Sequence, residues 1–239
     1  MAQLQDGFQM LNIIYEDNHL LVVVKPNNIL TQGDNTGDVS LLDMAKQYVK
    51  ERYKKPGAVY MGLVHRLDRP VGGLIVFAKT SKAASRLSEQ LRTHAMGREY
   101  LAVVCGSDLP ASGTLENYVS PNEKGFMQVT SHCSNGAQLA KLHYEILAHN
   151  GDTSLVHITL QTGRKHQIRV QFSHYGYPLL YDMRYGNGVK GKNIALWGAI
   201  LRLTHPITKE PMIFTSSPET EAFEPYQNTI SSFLLLNKQ

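Results

Sequence analysis

The alternation of apolar and polar residues in the second half of the chain is the feature that most restricts its fold. Apolar side chains occupy every second position over residues 142–146 and again over residues 156–160. A period of two is typical of a strand with one buried face, and such strands are common in antiparallel sheets. Both segments are therefore expected to be antiparallel strands.

Further segments extend this sheet. Strand-like composition recurs over residues 11–15, 20–25, 74–79, 100–105 and 194–204. Helical patterns are fewer and do not alternate regularly with the strands, which favours the α+β class. We predict one α+β domain built on a mostly antiparallel sheet.

Two segments have the pattern of amphipathic helices. Ser40, with Asp43 three residues later, resembles a capping box, and apolar residues at helical spacing follow it. From Thr80 to about His94, apolar residues fall on one side and most of the basic residues on others. Both helices are expected to pack against the sheet through their apolar sides.

The composition is that of an ordinary globular protein. Hydrophobic residues make up 42% of the 239 residues and charged residues 18%, which argues against disorder. No apolar run approaches about 18 residues, and residues 1–6 lack the pattern of a secretory signal. Cys105 and Cys133 lie far apart, without C-x-x-C spacing. These features favour a reduced, cytoplasmic setting without a zinc knuckle.

Basic residues are segregated along the chain, although the net charge is only +4. Segregation of this kind suggests a side that faces a polyanion, although solvated helix faces explain any single cluster equally well. The three clusters contain Lys50, Arg52, Lys54 and Lys55; Lys79, Lys82, Arg86, Arg92 and Arg98; and Arg164, Lys165, Arg169, Arg184, Lys190 and Lys192.

Four ionisable side chains fall within residues 65–69, between two apolar runs. Asp68 is the lone acid, and Arg66 and Arg69 are its sequence neighbours. A guanidinium within a few ångströms would push the pKa of this carboxyl below about 3.9. An ionised carboxylate suits a nucleophile or an electrostatic stabiliser better than a general acid. A structural Asp–Arg pair at a strand end explains the segment equally well.

A second cluster of polar residues spans residues 162–169, where a strand ends and a third helix is expected to open. Gly176 has a plausible position just after the end of this helix. Arg164 and Lys165 in a first helical turn would oppose the helix dipole by roughly 0.3–1 kcal/mol. A carboxylate partner or a bound phosphate would compensate, as would side chains that simply extend into water.

Motifs for other chemistries are missing or out of context. Residues 186–191 match G-x-G-x-x-G but lead into a strand-like segment, so dinucleotide binding is not supported. His143, His149 and His157 lack the spacing of metal ligands. The chain has neither a P-loop nor a G-x-S-x-G elbow.

Several long segments resemble motifs of the RluA-type family of RNA pseudouridine synthases. The resemblance runs in the family's order from about residue 11 to residue 215, nearly the whole chain. Because several motifs occur in register, the match is far more specific than any single tetrapeptide. The matching segments are residues 14–17 and 21–26, 65–68 and 73–79, 98–104 with Gly106, and 162–169 with 176–179 and Asp182.

The resemblance implies roles for individual residues. Asp68 would be the essential catalytic aspartate, Tyr100 would lie against the target uracil with a part in proton transfer, and Arg164 would pair with Asp68. Arg66 would help to hold a flipped-out target nucleotide. The predicted catalytic residues are Asp68, Tyr100 and Arg164, and the predicted RNA-binding residues are Arg66, Arg69, Lys82, Arg86, Lys165, Gln167 and Arg169.

The implied fold is α+β, with a mixed, mostly antiparallel sheet flanked by helices and a central cleft. We expect residues 1–10 to form an N-terminal extension and residues 11–239 a single catalytic domain, without an S4 RNA-binding domain. The implied activity isomerises uridine to pseudouridine in tRNA or ribosomal RNA, after base flipping. No cofactor, no metal and no membrane are expected, and the protein should be a cytoplasmic monomer.

Two alternatives come from other functional classes. A non-catalytic RNA-binding protein could keep the same scaffold, although Asp68, Tyr100 and Arg164 are all present. A carboxylate-dependent hydrolase would need a second acid near Asp68, and Asp182 is the candidate, although it is remote in sequence.

The chain departs from the family's pattern at three places. The usual Thr-Ser-Gly or Thr-Thr-Gly is Val71-Gly72-Gly73, and the Lys of Lys-x-Tyr is Arg98. The usual Leu-His-Ala is Leu196-Trp197-Gly198. These changes put the shape of the RNA-facing rim in question.

Overall fold

The computed structural model describes residues 11–132 and 136–238, and within them eleven strands form one sheet. The predicted extension over residues 1–10 and Cys133 lie outside the described residues. The strands are β1 Asn12–Glu16, β2 Leu20–Lys25, β3 Gly62–Leu63, β4 Gly72–Ala78, β5 Gly97–Cys105, β6 Ser112–Pro121, β7 Met127–Thr130, β8 Gln138–Asn150, β9 Thr153–Leu160, β10 Leu196–Thr204 and β11 Pro211–Thr215.

The helices lie between and after these strands. They are α1 Leu41–Arg52, α2 Ser81–Arg92, α3 Gln167–His174 and α4 Gln227–Leu236, with a 3-10 helix over Glu221–Tyr226 before α4. Among the helices described, none has the length and apolar character needed to cross a membrane.

The sheet has the order β1-β2-β4-β10-β5-β9-β8-β6-β7, with β3 also paired to β4 and β11 also paired to β10. Strands β4 and β10 are parallel, and the other pairs of described strands are antiparallel. The predicted α+β class with a mostly antiparallel sheet is confirmed.

The local patterns correspond to the observed elements. The alternating segments fall in β8 and β9, which pair with Leu142 opposite Leu160. The capping box at α1 is present: the Ser40 hydroxyl accepts from the Asp43 amide, and the Asp43 carboxylate accepts from the Ser40 amide. Helix α2 begins after Thr80, whose hydroxyl accepts from a backbone N–H of the first turn.

Both faces of the sheet are covered, which explains why β2 and β4 are apolar at almost every position. One face packs against α1 and α3, with Ile168 and Phe172 of α3 in that core. The other face packs against α2, the 3-10 helix and α4, with Leu87, Phe223 and Ile230 in that core. The predicted arrangement of helices flanking the sheet is confirmed.

Helix α3 begins later than the sequence predicted. Its first residue is Gln167, and His166 before it has a left-handed backbone, with φ of 54°. Arg164 and Lys165 therefore lie in the preceding loop, and the expected opposition to the helix dipole does not arise. The end of the helix is as predicted, since Gly176 follows the C-cap Tyr175 with φ of 88°.

Two departures from the family pattern meet across the parallel strand pair. Gly72 of β4 is opposite Trp197 of β10, and Gly73 is opposite Gly198. A Cβ atom at position 72 would overlap the Trp197 ring, and one at position 73 would overlap the backbone of Gly198. The small residues in β4 therefore make room for the large residue and the close backbone in β10.

Candidate active site

A cleft of about 1460 Å³ opens beside the segment that contains Asp68. Its walls come from residues 30–34, residues 63–70, the C-terminal end of α2 and residues 161–166. Phe126, between β6 and β7, and the adjacent residues Met183 and Arg184 also line the cleft, as do Arg98 and Arg169. The cleft therefore gathers segments that are far apart in sequence around one carboxylate.

The lining of this cleft is strongly cationic. Its acidic side chains within the described residues are those of Asp34 and Asp68. Low-dielectric walls that carry one sign of charge concentrate ligands of the opposite sign. The basic side chains of the lining are Arg66, Arg69, Arg92, Arg98, Arg164, Lys165, Arg169 and Arg184.

A buried arginine connects Asp68 to a second carboxylate. Arg169 Nη1 donates to Asp68 Oδ2 at 3.2 Å, while Nε and Nη2 donate to the two oxygens of Asp182 at 2.8 and 2.7 Å. The Asp182 side chain is fully buried, and the Asp68 side chain is 26% exposed toward the cleft. A bidentate ion pair thus holds the guanidinium that orients Asp68.

The electrostatics of this pair favour two permanent charges. Burial alone would raise the pKa of Asp182, but hydrogen bonds and charge from Arg169 hold that pKa below its usual value, with help from two backbone N–H groups. Burial alone would lower the pKa of Arg169, but Asp182 and then Asp68 raise it above its usual value. Arg169 is therefore a fixed cation beside Asp68.

The prediction that Arg164 pairs with Asp68 is wrong. Arg164 lies exposed in the loop before α3, and its Nε donates to the carbonyl of Leu139 at 2.8 Å. Because α3 begins at Gln167, the inward-facing arginine of this segment is Arg169. Arg164 nevertheless lines the same cleft.

Gln167 and Arg169 were expected to contact RNA, and both are instead buried within the protein. Gln167 Oε1 accepts from the Thr162 hydroxyl at 2.7 Å and from the Arg164 amide at 3.0 Å, which closes the loop before α3. Arg169 is occupied by the two carboxylates. The hydrogen bonds of Gln167 and Arg169 therefore connect segments of the protein around the site.

The remaining predicted RNA-binding residues divide by position. Arg66, Arg69 and Lys165 are exposed and line the cleft. Arg69 also forms an ion pair with Asp38, at 2.6 Å. Outside the cleft lining are the two residues in the first half of α2, Lys82 and Arg86, the latter bound to the carbonyl of Pro206 at 2.6 Å.

Tyr100 of β5 lies at the same site as Asp68, and its contact with a target uracil stays a prediction. It shares a small pocket of about 70 Å³ with Asp68, Arg66 and Arg169. Its side chain is buried, and burial, followed by the charge of Asp68, raises the pKa of its phenol, although Arg98 opposes this. The phenol is therefore a neutral group beside the carboxylate.

His166 connects the site to Tyr185, and sequence reasoning assigned it no role. Its Nε2 lies 3.7 Å from Asp68 Oδ2, and its Nδ1 lies 2.7 Å from the Tyr185 hydroxyl. Burial lowers the pKa of His166 and outweighs the opposite effect of Asp68, so the neutral imidazole is favoured. The left-handed backbone at His166 is a rare conformation that aims this ring at the site.

Lys25 is hydrogen-bonded to the segment that contains Asp68. Its buried Nζ donates to the carbonyls of Pro26, Ile29 and Arg69 at 2.9, 2.6 and 3.0 Å. Burial lowers its pKa to about 7, while the charge of Asp68 raises it and that of Arg69 lowers it. The sequence placed Lys25 in a strand but offered no signal for this contact.

Two further contacts fix the same segment. The Thr31 hydroxyl donates to the carbonyl of Leu67 at 2.7 Å and lies 3.2 Å from its amide. His65 Nε2 accepts from the amide of Val76 at 3.2 Å. Burial, with a smaller effect of Arg98, lowers the pKa of His65 to about 3, so its ring is neutral and can accept this bond.

No cluster of three or more His, Cys, Asp or Glu side chains suited to a metal ion occurs in residues 11–132 and 136–238. The site itself contains the carboxylate of Asp68, the neutral phenol of Tyr100, the neutral imidazole of His166 and a ring of cations.

The fold resembles that of solved human proteins. The structure titled Human RNA Pseudouridylate Synthase Domain Containing 4 superimposes with a TM-score of 0.74 at 21% identity, covering 92% of each chain. Human RNA Pseudouridylate Synthase Domain Containing 1 has a TM-score of 0.70 at 23% identity, covering 90% of this chain and 86% of that one. At these identities the similarity concerns the fold.

Two sequence relatives have a higher identity to this chain than these solved structures have. Ribosomal large subunit pseudouridine synthase D of Yersinia pestis is 35% identical over 213 residues, which cover 82% of this chain and 64% of the relative. An uncharacterized RNA pseudouridine synthase, YhcT, of Bacillus subtilis (strain 168) is 35% identical over 207 residues, covering 85% and 67%. This chain thus spans about two thirds of the length of these relatives.

The family comparison covers most of the fold described above. A family model described as RNA pseudouridylate synthase matches residues 19–174, a range that includes Asp68, Tyr100 and Arg169. The match extends from β2 to the end of α3. The chain therefore belongs to the RNA pseudouridylate synthase family.

Proposed function

We propose that this protein converts uridine to pseudouridine in RNA, with Asp68 as the catalytic carboxylate. The observation that carries the proposal is the position of Asp68: it faces a cation-lined cleft and is oriented by Arg169, which Asp182 holds in place. Preorganised charge of this kind stabilises a transition state without reorganisation during the reaction.

The reaction suits the groups present. The C1′–N1 bond of uridine breaks, the base rotates, and a C1′–C5 bond forms, while the base loses a proton at C5 and gains one at N1. Atoms and electrons balance without an oxidant or an energy source. Asp68 can act by attack at C1′, by attack at C6, or as a base toward the 2′ side of the ribose.

The cationic lining suits the substrate. A stacked base is out of reach, so the nucleotide must be extruded, which costs a few kcal/mol. Contacts from exposed residues such as Arg66, Arg164 and Lys165 to phosphates would offset this cost. Tyr100 lies beside Asp68 in the pocket that we propose for the extruded uracil.

The two alternatives have less support. A hydrolase with two acids would need Asp182 to exchange a proton, but Asp182 is fully buried, both its oxygens are bonded to Arg169, and its pKa is lowered. A non-catalytic RNA-binding protein would not require a buried arginine that orients the carboxylate of Asp68.

We further propose ribosomal RNA as the substrate to test before tRNA. This rests on the names of several relatives, which are ribosomal large subunit pseudouridine synthases, including that of Pasteurella multocida at 32% identity. The soluble RNA pool of the same cell would serve as the competing substrate.

The test follows the hydrogen at C5. RNA labelled with tritium at C5 of uridine should release label in the presence of the protein, and nucleoside chromatography should show pseudouridine. Asp68→Asn should abolish both signals while RNA binding persists. Asp152→Asn, at an exposed turn, is the matched control and should behave as the wild type. Release of free uracil, or turnover by Asp68→Asn, would contradict the proposal.

A further inference from the structure

The turn between β6 and β7 brings an aromatic ring to the rim of the cleft, where the proposed reaction does not use it. Phe126 is 38% exposed and lines the cleft, with Met183 and Arg184 beside it. We propose that Phe126 and Arg184 form a second base-binding site, which stacks an unpaired nucleobase next to the target uridine. The inference rests on the proposed function and names its substrate class as RNA that is single-stranded around the target.

The two side chains are in contact with each other. The guanidinium carbon of Arg184 lies 4.8 Å from the centroid of the Phe126 ring, which is cation–π geometry. Aromatic rings and arginine guanidinium planes are the usual platforms for unstacked RNA bases. An exposed aromatic ring beside the cations of the cleft suits a ligand that is both anionic and aromatic, and a nucleotide is such a ligand.

The turn that presents Phe126 is held rigid by Asn122. The Asn122 side-chain oxygen accepts from the amides of Lys124 and Phe126 at 3.0 and 2.9 Å, and the Asn122 amide donates to the Phe126 carbonyl at 2.7 Å. Gly125 supplies the positive φ of 75° that the turn needs. A preformed platform loses little entropy on binding, so the stacking energy contributes to affinity.

Arg184 is anchored to the proposed catalytic machinery. Its backbone N–H donates to Asp182 Oδ1 at 2.9 Å, so the carboxylate that holds Arg169 also holds Arg184. Met127 and Tyr185, which follow Phe126 and Arg184 in the chain, are also bonded to each other. The Met127 amide donates to the Tyr185 hydroxyl at 3.2 Å. The platform therefore has a fixed position relative to Asp68, as a site for a neighbouring nucleotide requires.

The structure of the pair also indicates which RNA it fits. A base within a continuous helix is stacked on both faces and has no face free for Phe126. An unpaired base in a loop or bulge has a free face, and its phosphates can meet the basic side chains of Arg164 and Lys165 in the same cleft. Loops and bulges are therefore the expected targets.

The test compares Phe126→Ala with Phe126→Trp on a stem–loop whose loop contains the target uridine. Loss of one stacked base corresponds to about tenfold in affinity. We expect Phe126→Ala to raise KM about tenfold with kcat within about twofold, and Phe126→Trp to retain the wild-type KM. Tyr60→Ala, an exposed aromatic residue outside the cleft lining, is the control and should change neither value.

A second arm identifies the stacked nucleotide. Abasic nucleotides are placed one at a time on either side of the target, and one of these positions should raise KM for the wild type without raising it further for Phe126→Ala. Equal KM values for the wild type and Phe126→Ala, or equal losses at every abasic position, would overturn the inference.

Direct binding separates this inference from the proposed function. Fluorescence anisotropy with the same stem–loop should show about tenfold weaker binding for Phe126→Ala, and no difference on a fully paired duplex. If the wild type forms no pseudouridine, the proposed function fails, while the binding difference still supports the stacking site. Equal binding of both variants to the stem–loop would refute the stacking site even if pseudouridine forms.

Discussion

The guanidinium of Arg169 donates to two carboxylates with opposite surroundings. Asp182 is fully buried and takes the bidentate contact, whereas Asp68 takes one donor and faces the cleft. Breaking a buried ion pair leaves an uncompensated charge, so the pair is held strongly once it is formed. The position of Asp68 therefore depends on Asp182, a residue outside the cleft lining.

Asp182→Asn should reveal this dependence. The amide would present a donor to Arg169, and the buried guanidinium would lose its anion, so we expect a loss of about 3 kcal/mol in the free energy of unfolding. We also expect kcat to fall at least about tenfold with little change in KM, because Asp68 would lose its orientation. Urea unfolding and tritium release measure the two effects.

Glu116→Gln is the control for this prediction. Glu116 forms a half-exposed ion pair with Lys141, and such surface pairs contribute below about 1 kcal/mol. Similar losses in the two variants would show that the buried pair has no special role.

Lys25 makes the stability of the fold depend on pH. Its pKa is about 7 in the folded protein, and an unfolded lysine titrates near 10.4. Between these values the unfolded chain binds more protons, so the contribution of Lys25 to stability rises with pH, by up to about 1.4 kcal/mol per unit. The unfolding free energy of the wild type minus that of Lys25→Met should therefore increase from pH 7 to pH 10. Parallel pH profiles of the two proteins would contradict this.

At the scale of elements, β4 and β10 are matched to each other. Gly72 and Trp197 face one another in the parallel pair, and a side chain at position 72 would overlap the indole ring. Packed interiors tolerate little extra volume, so a change in one strand requires a change in the other. Two departures from the family pattern are thus one structural feature.

Gly72→Ser should destabilise the protein by about 1–3 kcal/mol, because its Cβ displaces the Trp197 ring. Trp197→His makes room, so the double variant should be more stable than the sum of the single changes predicts, by about 1 kcal/mol. Gly57→Ser has open space around its Cβ and should be nearly neutral. Strict additivity in urea unfolding would show that the two positions are independent.

At the scale of the whole molecule, charge is distributed unevenly around the sheet. The basic side chains of the cleft come from loops, from the start of β5 and from helices α2 and α3, whereas the acidic Glu219 and Glu224 lie outside the cleft lining. Such a field attracts a polyanion toward Asp68 and raises its rate of association at low salt.

The salt dependence of RNA binding should follow this distribution. Each lost phosphate contact reduces the slope of log K against log salt by about 0.7 for single strands. Arg66→Gln combined with Lys165→Gln should therefore flatten the slope by about 1.4. Lys82→Gln removes one positive charge outside the cleft lining and should leave the slope nearly unchanged, rather than flatten it by about 0.7. An equal effect of Lys82→Gln would place RNA on the α2 face instead.

The sequence by itself determined the local elements. Alternation defined β8 and β9, and Ser40 with Asp43 defined the start of α1, because these signals act between residues a few positions apart. The family resemblance also directed attention to Asp68 and Tyr100, which the structure brings into one pocket.

Tertiary structure alone decided the partners of Asp68. The family resemblance implied Arg164, but the loop before α3 is closed by Gln167, the helix begins only at that residue, and Arg169 faces inward. Asp182 and Lys25 could not be recognised as supports, since their contacts join segments that meet only when the sheet assembles. Local patterns depend on near neighbours, whereas the charge environment of a carboxylate depends on which distant segments fold against it.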